Sequence, residues 1–262
     1  MRVVHCVVVG VLLAGFGCRE KQPEHLAPTA SALAPVAPPP AEQAVRMAVS
    51  SESSKVSFLM QAPIEKISGD APGSMSGELF VNPSELAKST GLVKVDLDKL
   101  TLYQEKRENE KAAFSERAKN ETQNQHARTW LEVSSDTPED VRSANRYVEY
   151  RITRLDAPSA PSLAALSGPE RKVTATAVGD FRLHGRKAEK SVKVELTFSY
   201  QGDKLGSVRV RTLAPLQIGL EEFDVRPREA FGKLAQKTLS ALGSKVAEVA
   251  PIEIDFSATP AS

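Results

Sequence analysis

The sequence predicts an all-β fold: a curled antiparallel sheet, closed as a barrel or sandwich, with two helical insertions. A leader and a Pro/Ala-rich linker precede it. Three observations carry this reading. From Lys55 onward apolar and polar residues alternate in run after run, which places one face of each strand in an apolar interior and the other in water. Mostly short turns separate the runs, as in antiparallel sheets. Before them lie an apolar leader and a stretch too poor in large apolar residues to fold.

The leader comes first because targeting segments are not fold. Arg2 supplies a positive start, and Val3 to Gly15 is an apolar run too short to span a bilayer as a helix. Gly15-Phe16-Gly17 offers a small-x-small cleavage pattern, and Arg19-Glu20-Lys21 ends the apolar run abruptly. Residues 1–17 are therefore expected to be a lipoprotein signal peptide. Of the two cysteines, Cys6 lies inside this segment and Cys18 stands at the cleavage point. No intramolecular disulfide can then form. A thioether-linked lipid on Cys18 would use a thiol that is otherwise a liability in an exported protein. Gly15 stands where a lipidation signal usually has Leu, so plain secretion with a leftover cysteine is the alternative. The expected location is the bacterial cell envelope, on the periplasmic side, with the chain anchored to a membrane.

Residues 18–46 include Pro23, Pro28, Pro35 and Pro38-Pro39-Pro40. Such a composition favours extended polyproline conformations and a disordered linker, whose physical effect is reach. The folded domain is expected over residues 47–258.

Within it, Val56, Phe58 and Met60 share one strand face. Val93, Val95 and Leu97 alternate with Lys94, Asp96 and Asp98, and Val148, Tyr150 and Ile152 with Glu149 and Arg151. The clearest run is Val192, Val194, Leu196, Phe198 and Tyr200, with a turn at Gln201-Gly202-Asp203-Lys204 and then Val208 and Val210. Ile252, Ile254 and Phe256 close the domain. Gln104 to Gln125, rich in Glu, Lys, Asn and Ala, reads as a solvated helix over one edge. Pro227 opens a second helix in which Phe231, Leu234, Ala235, Leu239 and Leu242 recur at helical spacing and Gly243 is the stop. That stripe is read as a cap on the barrel end. A partner-binding or membrane-surface face is the other possibility.

Composition and motifs narrow the function. The formal net charge is +1 and aromatic residues make up 5%, a pattern without the basic footprint of a nucleic-acid binder. The four histidines are His5, His25, His126 and His184, in no ligand spacing, so neither a metal nor a cofactor is expected. Nucleophile-elbow and phosphate-loop motifs are absent. Asp96 with Asp98 and Glu221 with Glu222 are solvated carboxylates in this reading, and no enzyme activity or catalytic residue is assigned. His184 is read as a turn residue bonded to backbone, with Gly185 supplying positive φ.

Gly179-Asp180-Phe181-Arg182-Leu183-His184-Gly185, followed by an alternating strand, resembles the Gly-x-Leu-x-Leu-His-Gly hairpin of the YceI-like family. Lys55 to Met60 resembles that family's opening Ser-x-Val-x-Phe strand, and Gly77 to Pro83 its Gly-x-Leu-x-x-Asp-Pro turn. Val93 to Leu97 is similar to its third strand and Ile252 to Phe256 to its last. The order holds over about residues 47 to 258. The resemblance implies an extended, lipocalin-like antiparallel barrel that holds a long-chain lipid or isoprenoid without covalent chemistry. Phe58, Phe80, Phe181, Leu196 and Phe198 would line its interior, and affinity would come from apolar area at ~25 cal/mol per Å². Arg186 to Lys190 is longer and more charged than the family's turn, and Glu222-Phe223-Asp224-Val225 departs from its acidic-Phe-Gly-Ile motif. These departures fall near the mouth, so the fold transfers more safely than the ligand. The competing function is a structural or interaction lipoprotein with a filled barrel and helical docking surface.

Overall fold

A computed structural model describes residues 31–40, 43–226 and 248–261. Its strands are β1 (Val45–Ala62), β2 (Glu65–Asp70), β3 (Met75–Val81), β4 (Thr90–Asp96), β5 (Thr101–Lys106) and β6 (Ala118–Lys119). They continue as β7 (Tyr147–Asp156), β8 (Glu170–Leu183), β9 (Arg186–Gln201), β10 (Lys204–Thr212), β11 (Leu216–Gly219) and β12 (Val249–Pro260). Two helices, α1 (Glu121–Trp130) and α2 (Glu139–Asn145), fall between β6 and β7.

Every strand pairing is antiparallel, and the pairing of β12 with β1 closes the ring. The closed wall is an eight-stranded barrel in the order β1-β3-β4-β7-β8-β9-β10-β12. This is the all-β, lipocalin-like architecture that the resemblance implied. Closure leaves the wall without an unpaired edge.

Two long strands change partners along their length, and this shapes one end of the barrel. The first residues of β1 pair with β3 (Val45↔Val81 to Ala48↔Glu78) and its last with β2 (Ser57↔Asp70 to Ala62↔Glu65). The register against β12 slips between Ser50 and Lys55, a local irregularity of the kind that bends a strand and re-aims its side chains. On β12 the late residues pair with β10 and the early ones with β11. At that end the wall therefore flares into two flaps, β2-β5-β6 and β11.

The opposite end is filled. Met47, Val173, Phe198, Val208 and Ala258 are all at most 1% exposed, and they belong to one cluster with Leu86, Leu163 and Leu196. Alternation along β9 buries Val192, Val194, Leu196 and Phe198, as its sequence predicts.

The first expected helix sits later than its composition suggested. Residues 104–106 finish β5, and the helical turns begin at Glu121, where Asn120 accepts a hydrogen bond from the Gln123 N–H as an N-cap. Phe114, the apolar residue of this stretch, lies under the cations of Lys66 and Arg107 at 4.2 and 4.4 Å. Pro227 to Gly243 lies outside the described residues, as do Cys18 and residues 1–30. Part of the expected linker is described, and its Leu33 is buried with its N–H donating to a Glu149 carboxylate oxygen at 2.7 Å.

Candidate functional site

The flared end of the barrel encloses a cavity of about 620 Å³. Val56, Val93, Tyr150, Phe181 and Ile254 form its deep end, and they neighbour one another around the wall through the pairs Val56↔Ile254, Val93↔Tyr150 and Tyr150↔Phe181. Nearer the mouth lie Met60, Leu97, Leu102, Leu183, Leu216 and Ile218. These side chains alternate with the polar outer positions of their strands, so the same periodicity that makes the strands makes the lining.

Phe58 reaches the lining because of a glycine. It pairs with Gly69 of β2, and a Cβ at that position would stand 2.2 Å from the Phe58 ring. The aromatic ring lies on bare backbone there.

The mouth is covered on one side by α1. The helix has a polar surface, and amides rather than an apolar stripe hold it in place. The Asn124 side chain accepts from the Leu102 N–H at 2.9 Å and donates to the Leu102 carbonyl at 2.9 Å, copying a strand pairing on β5. Asn120 donates to Gln104, and Gln104 in turn donates to the Glu65 carboxylate. With α1 fixed this way, Gln123, His126, Ala127 and Trp130, at helical spacing i, i+3, i+4 and i+7, face the cavity. His126 and Trp130 stack with ring centroids 5.9 Å apart. Partial burial holds the His126 imidazole below the ordinary histidine range, which favours its neutral form.

Tyr150 is the polar group of the deep end. Its hydroxyl donates to the Ala177 carbonyl at 2.9 Å, with the Lys190 carbonyl at 3.0 Å. Burial pushes its phenol above the ordinary tyrosine range. Phe181 packs against Tyr150 (6.3 Å between centroids) and edge-on against Phe223 (5.3 Å).

His184 and Gly185 form the two-residue β8–β9 hairpin loop, both with positive φ (49° and 66°), the pattern of a type I′ turn. The imidazole is buried rather than presented to the cavity. Its Nδ1 lies 3.2 Å from the Phe223 carbonyl and its Nε2 2.9 Å from a Glu132 carboxylate oxygen. It thus ties three rim segments together.

The five residues expected in the interior separate into three places. Phe58 and Phe181 line the cavity. Leu196 and Phe198 face inward but belong to the filled end. Phe80 is buried outside the interior cluster, because Leu79 and Val81 take the inward positions of β3 and the alternation sends Phe80 to the other face. The α1 face escaped sequence reasoning, although the 123/126/127/130 spacing with its imidazole and indole was the available signal. The described lining residues offer Gln61, Glu65, Gln123 and His126 at the mouth, and no Ser, Thr, Cys or Lys. Among the described residues no cluster of His, Cys, Asp and Glu could hold a metal ion, and no helix is long and apolar enough to cross a membrane.

Comparison with solved structures finds similarity to a polyisoprenoid binding domain from Saccharophagus degradans implicated in plant cell wall breakdown. The two share 12% identity with a TM-score of 0.48, over 84% of this chain and 100% of that one. Burkholderia cenocepacia BcnA is similar at 15% identity and a TM-score of 0.44, over 79% of this chain and 96% of that one. No family model matches the chain, and no curated protein sequence matches it.

Proposed function

We propose that this protein binds a hydrophobic ligand, a lipid or isoprenoid, non-covalently in the open end of its barrel. One observation carries the reading: a cavity of about 620 Å³ whose described walls are almost wholly apolar, with Gln61, Glu65, Gln123 and His126 at the mouth and the backbone-bonded Tyr150 hydroxyl at the deep end. Small-molecule sites are typically concavities of roughly 300–1,000 Å³ with this division of apolar walls and few polar groups. A polar interior would bind such a ligand poorly, and a filled one would not admit it. Among the described lining residues no nucleophile stands beside a base, which supports binding without chemistry.

In the same proposal the chain is a lipoprotein of the cell envelope, anchored through Cys18, and the tether keeps the barrel beside the membrane that supplies its ligand. Native mass spectrometry of protein purified from its own membranes is expected to show a co-purifying hydrophobic molecule. A barrel that is empty in every preparation, and that takes up no long-chain ligand when offered one, contradicts the binding role. Cys18→Ala is expected to release a folded protein from the membrane fraction, and retention contradicts the anchor.

A further inference from the structure

The cavity stops partway along the barrel, and the stop is built from identifiable side chains. On β8 the inward positions beyond Phe181 are Gly179, Ala177 and Ala175, which contribute almost no side-chain volume. A channel would be expected to continue past them. Instead Tyr150 reaches over from β7, its hydroxyl fastened to the carbonyls of Ala177 and Lys190. Its ring lies across the space that the small residues leave open. Phe181 backs it from the cavity side and is itself braced by Phe223. Beyond this pair the inward side chains, Ile152, Val194, Leu196 and Phe198, pack against the core and none lines the cavity.

We propose that Tyr150, supported by Phe181, is the floor that sets the longest hydrocarbon chain the barrel can enclose. This inference rests on the binding role proposed above and adds a length limit to it. Each methylene that enters an apolar site contributes a roughly constant increment, about fourfold in affinity. Affinity should therefore climb with chain length until the terminal methyl meets the floor, and then stop. The tyrosine suits a floor because its hydroxyl is held at both carbonyls, and the ring cannot swing aside without leaving that buried donor unpaired. The β8 residues behind it are small, so its removal should lengthen the cavity along β8 until it meets Ile152 and Val194.

The experiment titrates the purified full-length protein with primary alcohols from octanol to hexadecanol, delivered on cyclodextrin. Trp130, the sole tryptophan of the chain and part of the cavity lining, is the fluorescent reporter. Wild-type affinity is expected to rise about fourfold per methylene and then level off at a defined length. Tyr150→Leu should move that break to longer chains, with Tyr150→Ala moving it further. Val95→Phe, which adds bulk to a lining position, should move it to shorter ones. The Val95 variant and the wild-type profile keep the test intact if the tyrosine variants fold poorly. An affinity that climbs through the whole series without a break overturns the floor. So does a break that stays at the same length in folded Tyr150 and Val95 variants. If no alcohol of any length binds the wild type, it is the binding role itself that fails.

Discussion

The two ends of the barrel share strands, alternation and closure, yet one is solid and the other hollow. At the solid end Met47, Val173, Phe198 and Val208 leave no surface exposed beyond 1%. At the hollow end Val56, Val95, Val148 and Ile254 occupy equivalent inward positions and remain only partly buried, because they face the cavity. The difference teaches that an inward-facing apolar residue has two possible energetic roles. Where neighbours touch it on every side it stabilises the fold through both transfer from water and close packing. Where it faces a void it keeps the second contribution in reserve for whatever fills that void.

The largest effect should follow truncation of the solid end. Phe198→Ala is expected to destabilise the protein by about 3–5 kcal/mol, read as a lower urea midpoint at unchanged slope, while alcohol affinity in the folded variant stays within twofold. Parallel loss of stability and binding would show that the two ends are not separate. Next comes the clamp on the mouth. Asn124→Ala leaves the Leu102 N–H without its side-chain acceptor, while the Leu102 carbonyl keeps the Asn120 N–H, at a cost of about 1–3 kcal/mol. A red shift of Trp130 emission should accompany it as α1 loosens. An unchanged spectrum would mean that the helix is held some other way.

Smaller still is the expected cost of Val56→Ala at the hollow end, roughly 1 kcal/mol or less, compared with a value above 2 kcal/mol if Val56 were packed as the solid end is. Equilibrium denaturation separates these outcomes. The smallest effect is a pH dependence of binding. His126 already titrates below its ordinary value of 6.5 because burial disfavours the charged ring. A ligand filling the cavity buries that ring further, so the bound state should hold a proton less readily than the free state. Affinity should then be full above pH 6.5 and fall a few-fold as pH drops through the lower, free-state His126 pKa. His126→Gln should flatten the profile over that window. An unchanged slope in the variant would remove His126 from the mouth's energetics.

How far the sequence foretells this arrangement differs by feature. The alternating runs of β4, β7, β9 and β12 are legible because each has a single polar face. Leu79-Phe80-Val81 is not, since three consecutive apolar residues leave the inward face undetermined and the pairing of β3 with its neighbours decides it. Leu196 and Phe198 were legible as inward residues but not as members of the solid end, because periodicity reports which face a residue takes and not how far along the axis it lies. The α1 lid was hidden for a different reason. Its attachment runs through Asn120 and Asn124 bonding to Gln104 and to the backbone of β5, and such amide pairing leaves no hydrophobic signature for a pattern to catch.

The bond between the Leu33 N–H and Glu149 has a directional consequence. Glu149 sits between Val148 and Tyr150, level with the cavity, whereas β1 begins at Val45 beside Val81, at the solid end. Leu33 is therefore docked beside the hollow half, whereas β1 enters the barrel at the solid end. A pull applied to the N-terminal side of Leu33 would act on the barrel at the height of its cavity while the Glu149 contact holds, and at the solid end once it breaks. If Cys18 carries a membrane anchor, the docking of Leu33, its side chain buried and its N–H on Glu149, sets which end of the molecule hangs nearer the bilayer, and the attachment works as a rudder as well as a rope.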